Sequence, residues 1–178
     1  MKIIFDLEDD DLSVLQNKNI RADFYLDSYL EVFILENNKN IFLFSTTLHS
    51  TIIITFSRQL IELHRTCKKQ VLDTFGNANV YTFKKVGSYM VITNFDVFSN
   101  SEEWEYTFDF KVFVKAYTKE LRRHLENLVV KDANIIKRPN FVLLKQGLLE
   151  LEGIVQGKYW RVTIKEKKLI LKKYWKKY

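Results

Sequence analysis

A single cysteine, Cys67, excludes an internal disulfide in this chain. Secreted domains of modest size commonly rely on such staples, so the sequence predicts a reducing, cytoplasmic setting. One proline and five glycines leave little room for long flexible linkers. No two glycines lie closer than four positions, which excludes a glycine-rich phosphate cradle, and no serine-nucleophile motif is present either. Apolar runs are short. Nothing approaches the roughly 20 consecutive apolar residues of a membrane span. The N-terminal Ile3 to Phe5 run is too brief for a secretory signal and turns acidic at Asp6. With three histidines and one cysteine scattered along the chain, neither a metal centre nor a cofactor site is expected.

What is present is apolar and aromatic. Of 178 residues, 47% are hydrophobic and 15% aromatic, enough for one full-sized core, so a single domain over residues 1–178 is expected. The net charge of +6 is unevenly placed. Met1 to Phe56 carries four basic and nine acidic residues, whereas Gly157 to Tyr178 carries nine basic residues and one acid, Glu166. Such polarity suits a partner of opposite sign at either end, or the two ends meeting in the fold.

Two-fold periodicity dominates. Tyr29–Leu35 and Asn40–Ser45 flank Asn37-Asn38, residues at ease in left-handed turn conformations, which predicts a hairpin. Ser50–Phe56 alternates threonine with isoleucine and phenylalanine and predicts a strand. A helix is then expected from an N-cap at Ser57, through Leu60, Ile61, Leu63, Cys67, Val71 and Leu72, to a cap at Gly76. Strands follow near Val80–Phe83 and Tyr89–Phe95. The clearest alternation, Glu103–Val112, sets Trp104, Tyr106, Phe108, Phe110 and Val112 on one buried face of a central strand, with Thr107 and Asp109 on the other. A second helix places Phe113, Tyr117, Leu121, His124, Leu125 and Leu128 on one face. After Arg138-Pro139 a meander is predicted: Leu148–Val155, a Gln156-Gly157 turn, Tyr159–Lys165 and Leu169–Trp175. Two halves, each a strand running into a helix at Phe56-Ser57 and Val112-Phe113, hint at an internal echo. The expected fold class is α+β, a mostly antiparallel sheet with two main helices on one face.

Four groups of residues invite a functional reading. Asp6, Glu8, Asp9, Asp10 and Asp11 either cap a short helix over Leu12–Gln16 or form an acidic surface for a basic partner. His64 and Cys67, three apart on one helix face, lack the further ligands of a zinc site, so Cys67 reads as a small apolar core residue. The carboxylate pairs Glu102-Glu103 and Glu150/Glu152 fall at strand spacing and read as a solvated sheet face. Finally, Lys165, Lys167, Lys168, Lys172, Lys173, Lys176 and Lys177 interleave with Tyr174 and Trp175, and Trp160 stands nearby. Lysines hold phosphates and rings stack on bases, which is the alternative function, a nucleic-acid-binding module. Lysine also keeps an edge strand soluble.

The unit WEYTFDFKVFVKAYTKELRRHLENL and the later LLELEGIVQGKYWRVTI, spanning Glu102 to Ile164, resemble the layout of bacterial immunity proteins of polymorphic toxin systems. That resemblance implies a small cytoplasmic α+β protein without catalytic residues that neutralises a cognate toxin by binding it. Many nuclease-directed immunity proteins are acidic, and the +6 here departs from that. On this reading Asp6 to Asp11 would receive a basic toxin, and the basic end an acidic one. The chain is expected to be a non-catalytic protein-binding protein.

Overall fold

The computed structural model describes residues 1–7, 29–75 and 78–157. Its class is α+β with antiparallel sheets, as the sequence predicts. Among the described residues there are two sheets rather than one, and three long helices rather than two. Strands β1 (Lys2–Leu7), β2 (Leu30–Glu36) and β3 (Lys39–Thr46) form the first sheet, in that order. Strands β4 (Gln70–Asp73), β5 (Asn79–Val86), β6 (Tyr89–Asp96) and β7 (Ser101–Asp109) form the second. Helix α1 (His49–Thr66) joins the sheets, while α2 (Phe110–Lys131), a 3-10 turn (Ala133–Lys137) and α3 (Pro139–Val155) follow.

The β2–β3 hairpin turns at Asn37 and Asn38, whose φ angles of 50° and 60° fit a two-residue primed turn that matches the twist of its strands. Three further expectations are corrected. Ser50–Phe56 is not a strand but the first two turns of α1. Thr51 and Thr55 are four apart, a spacing that strand and helix share, and Thr55 Oγ1 donates to the Thr51 carbonyl at 2.8 Å. The isoleucine run suits a helix here because α1 is enclosed: Phe56 meets Phe44 and Phe83 of the two sheets, while Ile54 and Ile61 face α3. Ser57 is accordingly a mid-helix residue rather than an N-cap.

The helix also stops early. Cys67 adopts φ 54° and donates its N–H to the Leu63 carbonyl, a left-handed C-cap, so Val71 and Leu72 belong to β4. Cys67 is exposed rather than part of an apolar stripe. Gly76 lies outside the described residues. The third correction is Leu148–Val155, which is the second half of α3. Leu144, Gly147, Leu148 and Leu151 are its buried stripe, with Pro139 at the first turn. The expected Gln156-Gly157 turn is present, Gly157 having φ 68°; the rest of the meander lies outside the described residues.

Helices α1 and α2 are held together at a buried polar node. Tyr117 of α2 donates to the Ile53 carbonyl at 3.2 Å, and its hydroxyl lies 2.9 Å from Ser57 Oγ. Burial raises the Tyr117 phenol well above its ordinary range. Gly147 of α3 lets that helix approach closely, since a Cβ there would sit 3.1 Å from Ser57 Cβ. The core is continuous, from Ile3 and Phe5 of β1 through Phe44, Phe56 and Tyr81 to Phe108 and Phe113.

Candidate partner-binding edge

Strand β7 shows where the sequence pattern and the fold part company. Its register pairs Trp104 with Asn94, Tyr106 with Ile92 and Phe108 with Met90, so the predicted aromatic face is real. Burial along it is graded. Phe108 is 4% exposed and Trp104 is half-buried, while Tyr106 is 38% exposed. The expectation of a central strand with all these rings buried is corrected. Among the described residues β7 is an edge strand, so rings on its inner face lack a neighbour on one side. Phe110 is buried as expected, but as the first residue of α2, and Val112 is exposed on that helix. Asp109 ends the strand and caps the helix, accepting from the Val112 N–H at 2.9 Å.

The rings form a continuous stack. Trp104 packs on Tyr81 and Tyr106, Tyr106 on Phe108, and Phe108 on Phe113, with centroid separations of 6.0, 5.1, 6.2 and 5.7 Å. The half-exposed rim is therefore backed by the core, not hung in solvent. At the start of β7, the β6–β7 turn presents Phe98, 90% exposed. Asp96 Oδ1 accepts from the Phe98 and Ser99 N–H groups at 2.7 and 3.2 Å and fixes that turn. Asp73 does the same for the exposed Phe75, at 2.9 Å, at the same end of the sheet.

The electrostatics of this region are one-sided. From Val86 to Phe110, 25 residues include Asp96, Glu102, Glu103, Glu105 and Asp109 and no lysine, arginine or histidine. Glu102, Glu103 and Glu105 are exposed on the edge strand itself. Glu105 accepts from Thr93 Oγ1 at 3.0 Å, which places it on the outer face of the sheet. The expectation that Glu102-Glu103 lie on a solvated sheet face holds, but it says nothing of the one-sided charge of the whole stretch. The signal available in sequence was the absence of any cation over those 25 residues in a chain with 28 lysines and arginines.

The other sequence candidates are dispersed. Asp6 is exposed on β1 opposite Glu31, and Glu8 to Asp11 lie outside the described residues. So do Trp160 and the lysine-aromatic stretch from Lys165 to Lys177. Glu150 and Glu152 sit on α3, where two-residue spacing points them apart: Glu150 reaches Arg65 of α1 at 3.3 Å, and Glu152 reaches Arg122 of α2 at 2.6 Å. Between α1 and α3 lies a groove of about 120 Å³ flanked by Arg58, Glu62 and Arg65.

The histidines go to different places. His64 stacks on Phe110 at 5.8 Å, and its pKa is lowered by burial and then by Lys85, Lys111 and Arg65. His49 and His124, far apart in sequence, meet edge to face at 5.6 Å within the core. Burial first, then His49, Arg123 and Lys131, push His124 down to about 3. No group of three metal-binding side chains comes together among the described residues, and no described helix is long and apolar enough to cross a membrane. No protein-family model, curated protein or solved structure matches the chain.

Proposed function

We propose that this chain is a non-catalytic binding protein whose acidic, aromatic edge holds a basic protein partner, in the manner of an immunity protein masking a toxin in the cytoplasm. One observation carries this reading: β7 and its preceding turn combine exposed Phe98, half-exposed Trp104 and Tyr106, and a run of carboxylates with no cation among them. Aromatic side chains are the commonest anchors of protein interfaces, and a single-sign field steers an oppositely charged partner. The acidic surface assigned here is therefore Asp96, Glu102, Glu103 and Glu105, in place of the one expected at Asp6 to Asp11.

The test is co-expression with the product of each neighbouring gene, followed by a measurement of complex mass. A one-to-one complex is expected, weakened at least tenfold by the double reversal Glu102→Lys and Glu103→Lys. Absence of any complex, or a complex indifferent to the reversal, overturns the reading.

A second reading, nucleic-acid binding, is favoured by the cations around His64, namely Arg65, Lys85 and Lys111, together with the lysine-rich stretch from Lys165 to Lys177. Affinity for oligonucleotides that falls steeply with salt supports it, and undetectable binding at low salt removes it.

A further inference from the structure

Resting on the protein-binding reading, we infer that β7 takes its partner by strand addition, pairing with an extended segment that alternates basic and apolar residues. The backbone geometry supplies the first reason. The Phe110 N–H donates to the Ser88 carbonyl at 2.9 Å, so pairs in step with it, such as Phe108 with Met90 and Tyr106 with Ile92, direct their amide groups toward β6. Antiparallel ladders alternate, so the N–H and C=O groups of Glu105 and Thr107 point the other way, off the open edge of the sheet. Among the described residues no strand takes them up.

The second reason is the contrast between the two faces of the same strand. A segment added beside β7 would lay alternate side chains against Tyr106 and Phe108 on the inner face, and against Glu105 and Thr107 on the outer face. The inner positions call for aliphatic or aromatic side chains that complete the half-covered rim. The outer positions call for lysine or arginine, because Glu105 and its neighbours Glu102 and Glu103 carry the charge there. The carboxylates thus select the occupant: an acidic or a uniformly apolar strand meets repulsion or unpaired charge.

A ten-residue peptide alternating lysine with valine is a suitable probe, with a peptide of the same composition in two blocks as the control. Binding followed by fluorescence anisotropy should favour the alternating peptide at least tenfold. Thr107→Pro removes an N–H that serves only the added strand, so it should cost at least tenfold in affinity while leaving the thermal melt close to that of the parent chain. Glu105→Lys should cost as much. Hydrogen exchange gives a readout independent of any variant's folding: the Glu105 and Thr107 amides should gain protection when the peptide is added. Loss of binding in Glu105→Lys with none in Thr107→Pro, and no new protection, would sink strand addition and leave the acidic surface standing. Indifference to both substitutions would remove the surface as well. Protection already present without peptide would also overturn the inference. It would assign the edge to a second copy of the chain if protection rises with protein concentration, and to another segment of the same chain if it does not.

Discussion

Strands β1 and β7 are both sheet edges among the described residues, yet they are finished in opposite ways. Along β1 lies α2, and the Phe5 N–H donates to Glu120 Oε1 at 2.8 Å, a carboxylate 4% exposed and also held by Arg123. Phe5 itself packs against Tyr117 and His124. Along β7 the carboxylates face water, and the rings grade from buried Phe108 to half-open Tyr106. The same residue type, glutamate, closes one edge from inside and decorates the other from outside. An exposed edge is a hazard that proteins normally blunt, and carboxylates are one way to keep it soluble while leaving it accessible.

Substitutions that separate anchoring from decoration sharpen this contrast. Phe108→Ala removes the ring that ties β7 to Phe113 and should cost about 3–5 kcal/mol in a denaturant melt. Glu120→Ala strips the β1 edge of its acceptor, leaves the Phe5 N–H unsatisfied and unpairs Arg123. A loss of about 2–3 kcal/mol is expected. If Glu120→Ala proved as mild as a surface change, the closed edge would owe nothing to this carboxylate.

Acid should act on the β1 side as well. His124 stays neutral in the folded chain down to about 3, while in the unfolded chain it takes up a proton near the ordinary imidazole value of 6.5. The unfolded state therefore binds more protons between these values, and stability falls as pH drops through that window, by at most about 1.4 kcal/mol per pH unit. Melts of the parent and of His124→Phe across this range should differ in slope; parallel curves would show that another group sets the acid response. The smallest effect belongs to the decorated edge: Thr107→Ala should cost less than about 1 kcal/mol. A loss equal to that of Phe108→Ala would mean that the outer face of β7 is covered.

Sequence periodicity matches several elements with one wet and one dry face, though not β4, where exposed Val71 and buried Leu72 also fit the helical spacing expected from Ser57. The Asn37-Asn38 hairpin, β5, β6 and the buried face of α2 through Phe113, Tyr117, Leu121, His124, Leu125 and Leu128 all follow the expected pattern. It misread elements enclosed on several sides. In α1, Ile52 to Ile54 are all buried because the sheets and α3 cover most of the helix, and its exposed face is narrow, marked by Thr51, Arg58 and Glu62. In α3, the segment Leu148–Val155 looked like an alternating strand, although its buried residues continue a stripe begun at Phe141. Edge position is likewise illegible in a single strand, since Trp104, Tyr106 and Phe108 alternate identically whether a neighbour exists or not. Packing decides it, and the His49–His124 contact arises the same way, from residues 75 positions apart.

The junction of β7 with α2 has a mechanical consequence. Strand passes into helix at Asp109–Phe110 with no intervening loop, and three turns along that helix Glu120 grips β1. A load applied along β7 by a tethered partner therefore has no slack to take up. It is delivered as shear to the helix and through it to the far sheet, so the chain should resist being pulled apart from this edge more stiffly than from a strand that ends in a loop.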